Sequence, residues 1–324
     1  MFNTLRFATY ASLLTLGGFA SSASAAELKV VASFSIIADF AKNVGGDRVE
    51  ISTLVGPDGD AHVYEPRPAD AAALEGADVV LVNGLQFEGF MSRLIEASGT
   101  KASVVEVTKG IEPLKSAEEE HEAVEKTEAG HDHEEAGHDH GHEGHHHGEF
   151  DPHAWQSIHN AEIYVKNIAD AFCEADKAGC ATYTANSEAY IARLGKLETE
   201  VKAAIEAIPA DKRTVITSHD AFGYFEHEYG LRFIAPEGIS TEAEASAADV
   251  AKLIDQVKHD KASAIFLENI TNPRLIEQIS TETGIRIGGT LYSDALSGRE
   301  GPASNYIDMF RYNVNTMQAA ILGS

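Results

Sequence analysis

One structural unit is used twice in this chain, and that repeat limits the fold most. LKVVASFSIIADFAKNVGG, from Leu28, and RTVITSHDAFGYFEHEYGL, from Arg213, follow one plan. Each is a β-rich run, a polar turn, a helical apolar pattern and a glycine stop. ADVVLVNGLQFEGFMSRLIEASG, from Ala77, and ASAIFLENITNPRLIEQISTETG, from Ala262, form a second such pair. Identities within the pairs are sparse, so architecture is repeated rather than sequence. Strands alternating with helices predict an α/β fold. Each of two lobes should hold a mostly parallel sheet flanked by helices.

Between the halves lies TYTANSEAYIARLGKLETEVKAAIEAIPADK, with no proline before Pro209. Its apolar residues Tyr190, Leu194, Leu197, Val201 and Ile205 recur at helical spacing. One helix of roughly 25 residues, about 38 Å long, is expected as a rigid connector. The predicted organisation is a signal peptide at 1–26, an N-terminal lobe at 27–179, the connecting helix at 180–208 and a C-terminal lobe at 209–324.

The N-terminus reads as an export signal. Arg6 precedes the short apolar run FATYASLLTLGGFA, and SSASA supplies an A-x-A cleavage site near Ala25 or Ala26. The run is short and rich in Gly and Ser for a membrane span. No cysteine stands near the cleavage site, which argues against lipid attachment there. The expected location is the periplasm. The two cysteines, Cys173 and Cys180, flank a short loop. In an oxidising compartment this favours a disulfide over two buried thiols or a zinc site.

Nine of the fifteen histidines fall between His121 and His147. This stretch has no apolar periodicity and cannot build a core. It offers His131, His133, His138, His140, His142, His145, His146 and His147 beside carboxylates, as an auxiliary metal-capturing loop over about 115–149. Imidazole suits zinc, copper and nickel. The alternatives are a solvated acidic linker or an affinity tag, and the internal position and irregular spacing argue against a tag. Residues 115–150 hold twelve Asp/Glu and two Lys, a large share of the formal net charge of −26. Such a balance disfavours nucleic acid and anionic membranes and favours cations.

Three histidines outside that loop sit at expected strand-to-helix turns: His62, His153 and His219. Ligands of open α/β sheets bind beyond the carboxyl ends of strands, so loops from two lobes can bring these three together. Taken singly, His62 could serve as a turn residue and His219 as a helix cap, but in context both favour the ligand role. His159, His227 and His259 read as surface residues, Asp70 as a helix cap and Trp155 as packing beneath the loop of His153.

Four motifs then carry a resemblance. GPDGDAHVYEPRPAD, DPHAW, TSHDAFGYF and LYSDALS, in this order, resemble the metal-loop motifs of the cluster A-I, or cluster 9, solute-binding proteins. These are extracytoplasmic receptors of zinc and manganese ABC importers. The His-rich insertion before DPHAW is similar to the ZnuA-type zinc branch. The resemblance implies metal ligands at His62, His153, His219 and Asp294, with a membrane permease as partner and a monomeric receptor. Some zinc-branch members use water or a glutamate just before the first histidine as the fourth ligand. Here that neighbour is Ala61, which gives Asp294 weight and keeps Asp60 as a substitute. Manganese members of the resembled family carry a carboxylate where His219 stands.

Three imidazoles and one carboxylate suit tetrahedral Zn²⁺, whereas manganese prefers more oxygen ligands. The expected function is therefore capture of Zn²⁺ between two lobes and delivery to an ABC permease. A manganese receptor of the same kind, or a zinc buffer or chaperone working without a permease, are the alternatives. No HExxH or Gly-x-Ser-x-Gly motif supports a hydrolase, and no enzyme activity is expected.

Overall fold

The computed structural model describes residues 27–116, 148–243 and 245–323. The export signal and the eight loop histidines, His131 to His147, lie outside the described residues. The first sheet is built from β1 (Leu28–Phe34), β2 (Val49–Val55), β3 (Val79–Val82) and β4 (Ser103–Glu106). The second uses β5 (Thr214–Ile216), β6 (Arg232–Ile234), β7 (Ala264–Glu268) and β8 (Ile287–Leu291). All pairings are parallel, and the spatial orders are β2-β1-β3-β4 and β6-β5-β7-β8. The repeat seen in the sequence is thus one topology used twice. Parallel strands covered on both faces lose the polar alternation of half-buried strands, and VVLV of β3 is buried throughout.

In each sheet the connections reverse direction beside the first strand, between β1 and β3 and between β5 and β7. Such a reversal opens a crevice at the strands' carboxyl ends. The flanking helices of the first half are α1 (Ser35–Gly45), α2 (Pro68–Glu75) and α3 (Met91–Ser98). Next come α4 (Ile158–Ala175) and the connecting helix α5 (Cys180–Glu206). The second half adds α6 (Gly223–Tyr229), α7 (Ala247–Asp260), α8 (Arg274–Thr283) and the closing α9 (Tyr306–Leu322).

Helix α5 buries Tyr183, Ser187, Tyr190, Leu194, Leu197, Val201 and Ile205 along its whole length. It packs on α1 and α4 of the first half and on α9 of the second. A single apolar core runs through both halves and includes Phe34, Phe40, Trp155, Tyr306, Phe225 and Phe310. A smaller core around Ile216, Ile254, Ile265 and Ile279 serves the second half alone. Buried hydrogen bonds cross between the halves: Trp155 Nε1 and Gln156 Nε2 donate to the Ser293 carbonyl at 2.9 and 2.8 Å. Tyr306 Oη donates to the Trp155 carbonyl at 2.6 Å. Wide separation of the lobes would expose this apolar, hydrogen-bonded seam, so motion between them is restrained.

Two strands are shorter than the sequence suggests. ASVVEVTKGI contributes only Ser103–Glu106, and TVITS leaves the sheet after Ile216. The helix within FEGFMSRLIEASG begins only at Met91, and the segment before it turns at Gly84, Leu85 and Gln86, which all take positive φ (88°, 53° and 62°). That left-handed turn brings Phe87 under two site histidines (ring centroids 4.8 Å from His62 and 5.9 Å from His153). Two adjacent non-glycine residues in this region carry strain.

Cys173 and Cys180 are joined in a disulfide that ties the end of α4 to the start of α5. Within the closed turn Asp176 accepts from Arg48 Nη2 at 2.6 Å and from Tyr183 Oη at 2.8 Å. A loop with a sequence separation of 7 removes little chain entropy, worth about 2–3 kcal/mol. Cys173→Ser is expected to lower the thermal midpoint by about 3–5 °C with metal stoichiometry unchanged. Calorimetry of the two proteins checks this.

Candidate metal centre

The loop after β2 places His62. Asp60 Oδ1 accepts from the His62 backbone N–H at 2.9 Å, and its Oδ2 accepts from Thr241 Oγ1 at 2.6 Å. Asp60, weighed above as a substitute ligand, is therefore a brace between the lobes with both oxygens engaged. Asp58, held at φ 55°, fixes the same loop. Its N–H donates to the Leu296 carbonyl at 2.9 Å, and Asn269 Nδ2 donates to its Oδ1 at 3.0 Å.

His153 opens a short 3-10 turn, Ala154–Gln156, ahead of α4. Ser157 caps that helix by accepting from the Asn160 N–H. Asp151 accepts from the His153 backbone N–H at 2.9 Å, and the same oxygen meets ring Nδ1 at 2.7 Å. Trp155 packs against His153, Phe34 and Phe87, with ring centroids 5.3, 5.0 and 4.8 Å away. His219 follows β5. Glu268, the last residue of β7, accepts from the Ser218 and His219 N–H groups at 2.7 and 2.9 Å. Its other oxygen meets His219 Nδ1 at 2.6 Å. Asp294 follows β8, in the loop whose Ser293 carbonyl is held by Trp155 and Gln156.

These loops converge. Asp294 Oδ2 stands 3.2 Å from His62 Nε2, 3.1 Å from His219 Nε2 and 3.7 Å from His153 Nε2. His62 Nε2 and His153 Nε2 are 3.4 Å apart. The four potential ligand atoms all lie within 4.8 Å of one another, and all four residues are buried. Asp294 Oδ1 is buried with no hydrogen-bond partner among the described residues. The carboxylates on Nδ1 of His153 and His219 fix each ring so that Nε2 points into the cluster, an arrangement typical of metal-bound imidazole.

Burial shapes the charges. It pushes the pKa of His62 down, against the pull of Asp294. For His153 burial acts in the same direction but is outweighed by the Asp294 and Asp151 carboxylates, which push it up to about 9. His219 is likewise lifted well above the ordinary imidazole value, with Glu268 and Asp294 overcoming burial. Burial would raise Asp294, yet His153 and His219 hold it well below the usual carboxylate range.

The sequence-predicted His62, His153, His219 and Asp294 are thus brought together. His159, His227 and His259 are exposed on α4, α6 and α7, outside the group. Asp70 caps α2 by accepting from the Arg67 N–H at 2.7 Å. Sequence reasoning missed the partners Asp151 and Glu268. Asp151 was within reach, since DPH sets a carboxylate two residues before a histidine. Glu268 lies 49 residues from His219 and meets it only through the pairing of β5 with β7.

The family profile described as ZnuA, "Zinc-uptake complex component A periplasmic", matches residues 30–320. The chain belongs to the ZnuA family. Among curated relatives, the manganese-binding lipoprotein MntA of Bacillus subtilis is 33% identical over 322 residues, covering 97% of this chain and 96% of MntA. The iron ABC transporter substrate-binding lipoprotein MtsA of Streptococcus pyogenes is 32% identical over 300 residues, covering 93% and 91%. Among solved structures, the periplasmic zinc binding protein TroA of Treponema pallidum superposes with a TM-score of 0.79 at 29% identity, over 91% of this chain and 99% of TroA. ZnuA-family proteins are metal-binding receptors of ABC importers. The three relatives are named for three different metals, so membership of the ZnuA family leaves the ion open, including iron, which the sequence reading did not consider. Two are named lipoproteins, whereas both cysteines of this chain are spent on one disulfide. No helix among the described residues is long and apolar enough to cross a membrane.

Proposed function

We propose that this chain is a periplasmic, monomeric receptor that takes up Zn²⁺ through His62, His153, His219 and Asp294 and delivers it to the membrane permease of an ABC importer. The observation that carries this reading is the Nε2, Nε2, Nε2, Oδ2 cluster, whose closest pairs lie 3.1–3.7 Å apart. Zinc–nitrogen and zinc–oxygen bonds of about 2.0–2.2 Å place tetrahedral ligands about 3.3–3.5 Å from one another. Three nitrogens with one carboxylate favour zinc over harder ions. Four donors also fill a tetrahedral shell and leave no place for a reacting water, which supports carriage over hydrolysis. The His-rich segment would gather Zn²⁺ by raising its local concentration. Its ends meet at the antiparallel bridge between Lys115 and Phe150, so removing 117–147 spares the folded frame.

A manganese or iron receptor is the second reading. It is favoured by the relatives' names and by the spare oxygen, Asp294 Oδ1, which would add the oxygen donor such ions prefer. Metal-stripped mature protein lacking 117–147 separates the two readings in competition titrations. One Zn²⁺ per chain, retained against a hundredfold excess of Mn²⁺ or Fe²⁺, is the expected result. Preferential retention of manganese or iron would replace the zinc reading. Growth on chelated medium with and without a permease would distinguish import from periplasmic buffering.

A further inference from the structure

His62 is the member of the cluster that still touches solvent, at 8% exposure, whereas His153, His219 and Asp294 are at 0%. An ion moving between solvent and the cluster therefore passes His62. Two cavities border this residue. One, of about 450 Å³, is walled by Gln86, Phe87, Phe150, Ser240 and Glu242, and no lysine or arginine lines it among the described residues. The other, of about 550 Å³, is walled by Tyr64, Glu65, Glu242 and Arg93. A guanidinium in the wall raises the energy of a passing dication, so the first cavity is the better path. Its two carboxylates differ. Glu88 is buried and already accepts from Ser33 Oγ and the Asn83 N–H. Glu242 is exposed and borders both cavities.

Resting on the metal-site reading above, we propose that the ion enters and leaves past His62 through the 450 Å³ cavity, with the Glu242 carboxylate as a transient ligand at its mouth. A hydrated dication must exchange water for protein ligands one at a time. A carboxylate placed before His62 replaces one water early and releases the ion onward. Because Glu242 is absent from the four-residue cluster, it lowers the barrier in both directions and leaves the end states unchanged. It is a relay residue, distinct from the resident ligands.

The test follows Zn²⁺ loading from a chelator-buffered pool, and release into excess chelator, on full-length mature protein. Glu242→Gln is expected to slow loading and release by the same factor, about three- to tenfold, with Kd within twofold of the parent. Ser92→Phe, which puts bulk into the same cavity, is expected to slow both rates. Ala243→Phe in the Arg93 cavity is expected to leave them unchanged. Unaltered rates in Glu242→Gln, a slowed loading step with normal release, or a weakened Kd would each overturn the relay. Slowing by Ala243→Phe without slowing by Ser92→Phe would overturn the route. Absence of tight zinc in the parent protein would instead remove the reading of the site itself, and this route with it.

Discussion

Replacing His219 by alanine is expected to weaken metal binding on the order of 100- to 1000-fold and to destabilise the metal-free protein as well. The first effect follows from ligand count. Zinc bound by four protein ligands gains about 10–16 kcal/mol, about 2.5–4 kcal/mol per ligand. The second follows from what His219 covers. Its ring stands between Glu268 and Asp294, both fully buried, at 2.6 and 3.1 Å. Without the ring two buried anions lose their shared partner, which costs about 3–5 kcal/mol in such settings. His62→Ala should lose affinity similarly but spare stability, because no carboxylate backs its ring among the described residues.

Pairing His219→Ala with Glu268→Gln separates the two effects. The double variant should regain most of the stability and none of the affinity, a coupling that a double-mutant cycle measures directly. Equal metal affinity in His219→Ala and the parent would remove His219 from the site.

Metal binding at neutral pH is expected to expel close to two protons. His153, with its pKa near 9, and His219, raised well above its ordinary value, are both protonated in the metal-free cluster at pH 7. A metal takes only neutral imidazole. Apparent affinity should therefore climb steeply from pH 6 to 8, by up to about 100-fold per pH unit when two protons are released. The dependence should become shallower as pH rises through 9, where His153 loses its proton. Calorimetry in buffers of different ionisation enthalpy counts the protons. No buffer dependence would mean that both rings are neutral before the metal arrives.

Stability of the metal-free protein runs the other way. A histidine whose folded pKa is raised from 6.5 to about 9 contributes stability that is fully present below pH 6.5 and lost as pH rises through 9. For His153 the contribution is about 3 kcal/mol. The metal-free melting temperature should fall between pH 7 and 9.5, while the loaded protein, whose rings are already neutral, should not follow it.

The fold was legible because its periods are strong. Continuous apolar runs such as VVLV and the buried stripe from Tyr190 to Ile205 follow from the geometry of parallel strands and a packed helix. They need no knowledge of distant partners. The left-handed turn at Gly84–Gln86 was hidden, because Leu85 and Gln86 give no sign of positive φ. Its consequence, Phe87 under the site rings, is a tertiary one.

The candidate site divides in the same way. Its histidines and Asp294 stand in loops marked by Gly, Pro and Asp, where backbone groups exposed beyond strand ends make ligand loops cheap to place. By itself the sequence determined the repeated α/β plan, the connecting helix and three histidines at expected strand-end turns, while Asp294 entered through the family resemblance. The tertiary structure decided how they meet. It set Glu268 behind His219 and Asp151 behind His153, turned Asp60 from ligand into brace, and left His62, though buried, as the member of the cluster that still touches solvent. Those outcomes depend on strand order and on the apolar seam between the lobes, and both bring together residues that local sequence keeps far apart.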